Sequence, residues 1–334
     1  MPLTQKPLRE QTIVVTGASS GIGLATARMA AERGARVVLV ARNGAALDTI
    51  RDEIVGAGGQ ALAVAADVGV REEVEAVAAH AITAFGGFDT WVNNAGLTIY
   101  GRLWEVSDAD HERLLKTNLW GTVFGSLVAV DHLRSRGGAL INVGSLGSDL
   151  AFSLQGMYCA SKHAIKGFTD SLRIELEEEG VPVSVTLIKP AAINTPFPQN
   201  ARNYTDHEPK LPPPVYDPEE VALAIVHAAV HPQRDIYVGG GGRVMSAFQA
   251  LAPRTFDRLG RTMTGQQLRS ERPRNPQGAL HAAGRGGDIR GDHPGYVMRR
   301  SFYTRASLHP AATALVAAAG AAAAAALAHR SSRQ

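Results

Sequence analysis

Short apolar runs alternate with amphipathic stretches over the first 240 residues of this 334-residue chain. The run at 12–16 is followed by a glycine-rich turn and by a helical pattern over 22–33. Further runs occur at 36–40, 61–64, 88–92, 139–143, 183–188 and 235–238. Continuous apolar strands separated by amphipathic helices are typical of a parallel sheet that helices cover on both faces, and right-handed crossovers make such a sheet doubly wound. The sequence therefore predicts an α/β fold built on a doubly wound parallel sheet.

Composition excludes several other classes of protein. Hydrophobic residues make up 45% of the chain and charged residues 19%, so a large core is available and wholesale disorder is excluded. The single cysteine, Cys159, rules out an internal disulfide and a multi-cysteine metal site, and the 11 histidines show no ligand spacing, so we expect no metal. The first residues contain no apolar run typical of a secretory signal peptide, so we expect a cytoplasmic protein.

Charge is distributed unevenly along the chain. Residues 231–334 carry 15 arginines against 5 acidic residues, whereas residues 1–230 carry 19 basic against 26 acidic residues. This distribution of charge predicts an acidic globular domain followed by a basic extension that contacts an anionic partner. We place the globular domain at 1–243, a helical or flexible arginine-rich linker at 244–304 and an alanine-rich helix at 305–334.

The segment 311–328 contains no charged residue and consists mainly of alanine. At about 1.5 Å per residue, a helix of this length approaches the thickness of a bilayer core, but alanine is only weakly apolar. Association with a membrane surface, a soluble helix packed against a partner, and disorder therefore all remain open. Aromatic residues are too sparse among the arginines to predict a nucleic-acid partner.

The glycine-rich turn is the first candidate site. Its sequence, T-G-A-S-S-G-I-G over residues 16–23, follows the first strand and opens a helix. Glycines in such a turn let the backbone approach a pyrophosphate closely, and the helix N-terminus provides free N–H donors. The candidate cofactor-binding residues here are Gly17, Ser19, Ser20, Gly21, Ile22 and Gly23. The alternative is a turn with a purely structural role.

The end of the second strand indicates which dinucleotide is bound. A site for NAD usually carries an acid here for the ribose 2′-hydroxyl, yet no acid occurs between Val37 and Leu47. Arg42 offers a planar cation suited to the 2′-phosphate of NADP, so we predict that NADP(H) is preferred over NAD(H); the alternative is an ordinary surface arginine. Asp67 and Val68, at the end of the third strand, are candidates for contacting the adenine, although Asp67 also suits a helix N-cap.

Tyr158 and Lys162 lie four residues apart in a helical pattern, so they share one face of that helix. A free tyrosine titrates near pH ~10, and a neighbouring ammonium lowers the pKa of the phenol because it stabilises the phenolate. Such a pair is an acid–base catalyst usable near neutral pH. Taken alone the pattern is common, and its ordinary explanation is a solvated helix face.

Other residues give this pair a context. An apolar strand ends in Ser145, 13 residues before Tyr158. The sequence N-N-A-G occupies 93–96, and Asn118 lies in the helical stretch between this segment and Ser145. With the T-G-x-x-x-G-x-G turn, these motifs closely resemble the short-chain dehydrogenase/reductase family over about residues 10–240. The resemblance implies a Rossmann-type sheet of about seven parallel strands. It also implies NAD(P)-dependent hydride transfer between a carbonyl and an alcohol, by a homodimer or homotetramer.

The resemblance implies a role for each matching residue. Tyr158 exchanges a proton with the substrate oxygen, and Ser145 hydrogen-bonds the same oxygen. Lys162 lowers the tyrosine pKa and holds the nicotinamide ribose, and Asn118 kinks its helix and positions a water. The other implied cofactor-binding residues are Asn94, Ala95, Gly96, Pro190, Ile193 and Thr195. Ala191 stands where the family usually has glycine, and it is strained if that position needs a positive φ.

The substrate is predicted to be a small, apolar carbonyl or alcohol compound. A proline-rich stretch at 194–216 is typical of a loop that covers a substrate. The candidate pocket residues are Phe152, Leu154, Gln155, Phe197 and Tyr204. A rival hypothesis is a non-catalytic NADP(H)-sensing or scaffold protein that keeps the same site without turnover.

Overall fold

Seven parallel strands form a central sheet in the computed structural model, which describes residues 4–311, 313–315 and 318. They are β1 (Thr12–Thr16), β2 (Arg36–Ala41), β3 (Gln60–Ala65), β4 (Thr90–Asn93), β5 (Gly138–Val143), β6 (Val183–Pro190) and β7 (Asp235–Val238). Their order is β3-β2-β1-β4-β5-β6-β7, and every neighbouring pair is parallel. The reversal between β1 and β4 leaves a crevice at the carboxyl ends of these strands. This order confirms the predicted Rossmann-type fold.

Helices cover both faces of the sheet. They are α1 (Gly21–Glu32), α2 (Gly44–Gly56), α3 (Arg71–Phe85), α4 (Asp108–Leu115), α5 (Gly121–Leu133), α6 (Gly156–Glu178) and α7 (Pro218–Ala228). Helices α1, α2 and α7 pack around Val15 and Leu24 on one face, whereas α3, α5 and α6 pack around Val14 and Leu172 on the other. Because successive strand residues point to opposite faces, the central strands are buried on both sides and mostly apolar.

The extension after β7 folds back onto the domain. It contains α8 (Gly240–Leu251), α9 (Pro253–Met263) and α10 (Phe302–Leu308). Helix α8 crosses the boundary predicted at 243, and Phe256 of α9 packs with Leu146 and Leu150. The segment between α9 and α10 was expected to be a flexible linker from its glycine, arginine and proline content. It lies instead against the domain, where Val297–Met298 pairs in parallel with Val215–Tyr216.

Arginines of this extension pair with acidic residues of the domain. The pairs are Arg274–Glu208 at 2.8 Å, Arg290–Asp217 at 2.8 Å and Arg305–Glu220 at 2.7 Å. The three carboxylates are buried, so each guanidinium covers a charge that would otherwise lack a partner. The basic extension and the acidic domain thus meet within one molecule.

Most of the alanine-rich helix predicted at 305–334 lies outside the described residues. Among the residues that are described, no helix is both long enough and apolar enough to cross a membrane. The division of the chain at 243 and 304 stays a prediction.

Candidate active site

The glycine-rich turn joins β1 to α1 at the crevice. Gly17 has φ +68° and Gly21 has φ +56°, values that favour glycine. A Cβ at Gly23 would lie 2.2 Å from the carbonyl oxygen of Gly17, so only glycine lets the helix begin this close to the strand. The turn therefore has the tight backbone that close approach of a pyrophosphate requires.

The N-N-A-G segment after β4 is tied to this turn by Thr16. The Thr16 hydroxyl accepts hydrogen bonds from the backbone amides of Asn94 at 2.9 Å and Ala95 at 3.1 Å. The Asn94 side chain donates in turn to the Thr16 carbonyl oxygen at 2.9 Å. A Cβ at Gly96 would lie 3.7 Å from the ammonium of Lys162. The segment thus connects the glycine turn with the candidate catalytic residues.

Ser145, Tyr158 and Lys162 converge at the carboxyl end of β5. The Ser145 hydroxyl accepts a hydrogen bond from the backbone amide of Gly147 at 3.0 Å, and a Cβ at Gly147 would lie 3.5 Å from that hydroxyl and 3.3 Å from the Tyr158 ring. Tyr158 and Lys162 lie on the first turns of α6, and both are buried. The Lys162 ammonium donates to the carbonyl oxygen of Val143 at 2.8 Å and lies 5.9 Å from the centre of the Tyr158 ring.

Burial dominates the titration of this group. It raises the pKa of the Tyr158 phenol well above its usual value, against the opposing effect of the nearby Ser145 hydroxyl. It also lowers the pKa of Lys162 to about 8. The sequence predicts a lowered pKa for this tyrosine, but in the structure the pKa is raised. Desolvation of the phenolate outweighs its stabilisation by neighbouring groups. Burial also raises the pKa of the Cys159 thiol to about 11, which keeps that thiol unreactive.

Asn118 lies in a π-helical turn, Lys116–Trp120, between α4 and α5. Its side-chain amide donates to the carbonyl oxygen of Leu97 at 2.9 Å and to the Ser161 hydroxyl at 3.1 Å. Its Oδ1 accepts from the backbone amide of Leu97 at 2.8 Å. These bonds fix the buried asparagine between the N-N-A-G segment and α6, in a helix distortion of the kind found at functional sites.

Arg42 and Asp67 stand at the carboxyl ends of β2 and β3, and Arg113 joins them. The Arg113 guanidinium donates to the Asp67 carboxylate at 2.6 Å. Burial raises the pKa of Asp67, but this hydrogen bond and others outweigh burial, and the pKa is lowered overall. Arg42 also donates to the backbone carbonyl oxygens of Ala279 at 2.5 Å and Leu280 at 3.2 Å. It therefore contacts the extension as well as the cleft.

The segment after β6 returns the chain to the glycine turn. The Thr195 side chain is so close to Gly21 that a Cβ there would lie 3.2 Å from it. Ala191 donates its amide to Val238 at 2.9 Å. Among the described non-glycine residues, Leu154 alone has a positive φ, so alanine at 191 carries no backbone strain.

One cavity of about 910 Å³ connects these groups. All the candidate catalytic and cofactor-binding residues line it except Gly23 and Asn118. Of the predicted pocket residues, those that line it are Phe152, Gln155 and Phe197, and those that do not are Leu154 and Tyr204. Thr117 also lines the cavity, and its buried hydroxyl has no hydrogen-bond partner within the described part of the chain. An orphaned hydroxyl beside a glycine cradle fits a polar ligand such as a dinucleotide.

The sequence did not predict that residues of the extension line part of this cavity. In the substrate half these are Met245, Phe256, Arg261 and Gln267, and near the glycine turn they are Ala279, Ala283, Gly284 and Gly286. The amphipathic pattern over 244–259 was the one signal for the first group. The second group contributes mainly backbone, which leaves no side-chain pattern to detect.

Comparison with known proteins places this geometry in a family. The family model described as short chain dehydrogenase matches residues 11–206. The uncharacterized oxidoreductase YxnA of Bacillus subtilis is 47% identical over 321 residues, which cover 95% of this chain and 90% of that protein. A 3beta-hydroxysteroid dehydrogenase of Eggerthella lenta is 35% identical over 258 residues, covering 72% of this chain and 97% of that protein. A solved short chain dehydrogenase/reductase from Burkholderia phymatum, in complex with NAD, aligns with a TM-score of 0.68 at 25% identity over 75% of this chain and 96% of that one.

The chain belongs to the short-chain dehydrogenase/reductase family. It is an oxidoreductase that acts on the CH–OH group of a small molecule and uses a nicotinamide dinucleotide cofactor. The predictions of family, fold and enzyme are therefore confirmed. The Bacillus match reaches well into the extension, which is thus not peculiar to this chain.

Proposed function

We propose that this oxidoreductase interconverts a ketone or aldehyde and an alcohol with NADP(H), at a site formed by Asn118, Ser145, Tyr158 and Lys162. One observation carries the proposal. Ser145, Tyr158 and Lys162 line the same cavity as the glycine turn that suits the dinucleotide. A bound nicotinamide supplies or accepts the hydride, and the residues of the chain position the substrate and manage its proton.

Tyr158 is the proton donor for reduction. Because burial raises its pKa, the phenol is protonated at neutral pH and has a proton to give. Ser145 and Tyr158 line the same cavity and both lie beside Gly147, so a substrate oxygen placed between the two hydroxyls receives a hydrogen bond from each. Two such donors stabilise the negative charge that develops on that oxygen. In the oxidative direction the phenol must first pass its own proton to the solvent, and the phenolate then takes the proton of the alcohol.

Lys162 and Asn118 support the roles of Ser145 and Tyr158. With a pKa of about 8, the Lys162 ammonium is charged at neutral pH, and it faces both the Tyr158 ring and the cavity. It is suited to hold the nicotinamide ribose and to exchange a proton with the site. Asn118 does not line the cavity, so we assign it the positioning of the segment that begins at Leu97.

Arg42 supports the preference for NADP(H). It lines the cavity at the end of β2, where a carboxylate for the ribose 2′-hydroxyl of NAD would stand. Its guanidinium is a fixed cation with a fork that suits a phosphate. The neighbouring charge of Arg113 is taken by Asp67, which leaves Arg42 as the cation for the 2′-phosphate.

An apolar substrate is supported by the walls of the cavity beyond Ser145. Phe152, Phe197, Met245 and Phe256 face this half, and helices α8 and α9 supply the last two. The Eggerthella relative is named for a hydroxysteroid, which is a rigid apolar alcohol. We therefore propose a bulky apolar ketone–alcohol pair as the substrate class. A homo-oligomer and a cytoplasmic location stay predictions.

The test is a screen for NADPH oxidation over carbonyl compounds graded in apolar size. Wild-type protein and Tyr158→Phe are assayed side by side, with NADH in a parallel series. We expect turnover to rise with apolar size and to depend on Tyr158. Tight NADPH binding without turnover of any ketone or aldehyde would contradict the proposal.

A further inference from the structure

Residues 281–288 of the extension, hereafter the strap, cross the cleft beside the glycine turn. We propose that the strap covers the adenosine half of the dinucleotide site and must lift before the cofactor enters or leaves. This inference rests on the proposed function, because it assumes a dinucleotide bound at the glycine turn. The strap would then set the rate of cofactor exchange.

The strap begins at a firm anchor. Leu280 is fully buried and packs with Leu97 and Leu114. Its carbonyl oxygen accepts hydrogen bonds from Arg42 at 3.2 Å and from Arg113 at 3.1 Å. A buried leucine with two charge-assisted hydrogen bonds on its peptide is costly to displace, so this end stays in place while the strap moves.

The far end is anchored as well. Ile289 packs against the core cluster below α1 and α7. Arg290 donates to both oxygens of Asp217, at 2.8 and 3.1 Å, and to Glu219 at 2.6 Å. Gly291 donates its amide to the carbonyl oxygen of Asn194 at 3.3 Å.

Between these anchors the strap is held by hydrogen bonds, beginning with one between the His281 ring and the Asp110 carboxylate at 2.7 Å. The Asn43 side chain donates to the carbonyl oxygens of Gly284 and Arg285, both at 2.8 Å. The amide of Gly287 donates to the carbonyl oxygen of Ser19 at 2.8 Å, and the amide of Gly21 donates to the carbonyl oxygen of Asp288 at 2.9 Å. No residue from 281 to 288 carries a large apolar side chain. A segment with few apolar contacts and several exposed hydrogen bonds opens at low free-energy cost.

These contacts lie on the residues that would hold the cofactor. Ser19 and Gly21 belong to the glycine turn, and Gly284 and Gly286 of the strap line the same cavity as that turn. The cavity of about 910 Å³ persists beneath the strap, so a closed strap and a bound ligand are compatible. Passage of the adenosine half past this point requires the hydrogen bonds that join the strap to Ser19, Gly21 and Asn43 to break.

The first test uses Asn43→Ser to remove the two hydrogen bonds from Asn43 to the strap. Asn43 also caps α2 by accepting from the amide of Ala46, and serine keeps a good cap while it loses the reach to the strap. We expect the rates of NADPH association and dissociation, followed by stopped-flow nucleotide fluorescence, both to rise about tenfold, because two hydrogen bonds are lost. The equilibrium constant should change much less. A rise in dissociation alone would mean that Asn43 is only a contact to the cofactor, which overturns the strap. Asn43→Ala removes the cap too, and equal kinetics in both variants exclude the cap as the cause.

The second test locks the strap. A Cβ at Gly286 would lie 3.4 Å from the Cβ of Ser19, close to the separation of about 3.8 Å in disulfides, but only 2.7 Å from the Cβ of Ala46. Ala46→Gly is therefore combined with the two cysteines to make room. In the variant Ser19→Cys/Ala46→Gly/Gly286→Cys, oxidation should slow NADPH association and dissociation at least tenfold relative to the reduced form of the same variant, and a reductant should restore both. Wild-type protein is the control, because its single cysteine is buried and the reductant should change nothing.

The outcomes separate the two proposals. If wild-type protein binds no dinucleotide, the proposed function fails. If wild-type protein binds NADPH but the cross-linked variant exchanges it as fast as the reduced variant, only the strap is overturned.

Discussion

The ammonium of Lys162 lies 5.9 Å from the centre of the Tyr158 ring and directs its hydrogen bond to the carbonyl oxygen of Val143, at 2.8 Å. Both side chains are buried, and burial moves their pKa values toward the neutral forms: upward for the phenol and down to about 8 for the amine. The proton therefore stays on the phenol until a substrate oxygen takes it. Tyr158 is therefore in its acid form before the substrate binds.

Replacement of Tyr158 by phenylalanine should separate chemistry from binding. Tyr158→Phe removes the proton donor and keeps the ring that packs near Phe197, so turnover should fall by about 100-fold or more. The NADPH dissociation constant should stay within about threefold of the wild-type value, since only one hydroxyl is lost. Turnover and fluorescence titration measure the two effects.

Tyr204→Phe is the matched control for that experiment. The Tyr204 hydroxyl contacts Asp110 at 2.8 Å and does not line the cavity. Its loss should leave turnover nearly unchanged. Equal losses in both variants would remove the special role of Tyr158.

Replacement of Lys162 by methionine should stabilise the protein at neutral pH. The pKa of Lys162 is about 8 in the folded chain against 10.5 for an ordinary lysine, so the unfolded state binds more protons between these values and wild-type stability rises with pH there. Burial of the ammonium therefore costs about 3 kcal/mol at pH 7, and loss of the hydrogen bond to Val143 leaves a net gain of about 2 kcal/mol for Lys162→Met. That gain should shrink from pH 8 upward and turn into a small loss above pH 10.5, where only the missing hydrogen bond counts. Urea unfolding across this range measures it.

Lys166→Met is the matched control on the same helix. Lys166 is 37% exposed and pairs with Asp170 at 3.1 Å. Its replacement should change stability little and without this pH trend. A pH-independent gain for Lys162→Met would show that the amine is not the titrating group.

Replacement of Arg42 by alanine should discriminate between the two dinucleotides. Arg42 also holds the backbone at Ala279 and Leu280, and loss of that contact affects both cofactors equally. The additional loss of a 2′-phosphate partner should weaken NADPH binding about 10-fold or more relative to NADH. Arg36→Ala, at the opposite end of β2, should affect neither. Equal weakening of NADPH and NADH by Arg42→Ala would refute the NADP(H) preference.

A methyl group at Gly23 should abolish cofactor binding. The Cβ would lie 2.2 Å from the carbonyl oxygen of Gly17 and 2.6 Å from the Asn94 side chain, so the turn must open. We expect Gly23→Ala to lower the melting temperature and to remove NADPH binding in titration. The same substitution at Gly56, the last residue of α2, meets nothing within 4 Å and should stabilise the helix by about 0.5–1 kcal/mol.

Local sequence was sufficient for the sheet and for most of the proposed site. Strands buried on both faces are mostly apolar, and the switch from strand to helix at Gly17 and Gly21 requires residues that tolerate a positive φ. The spacing of Tyr158 and Lys162 places both on one helix face whatever surrounds them. These features depend on neighbours in the chain, so they are visible without the fold.

The tertiary structure alone decided where the extension goes and how the buried pair titrates. Residues 281–288 are small or polar and have no apolar period, and apart from the His281 ring they attach through backbone carbonyls and amides that any sequence possesses. The pKa of Tyr158 depends on how deeply α6 and its neighbours bury the phenol, which the Y-x-x-x-K spacing does not encode. Contacts made by the main chain, and desolvation by residues distant in sequence, arise only once the chain has folded.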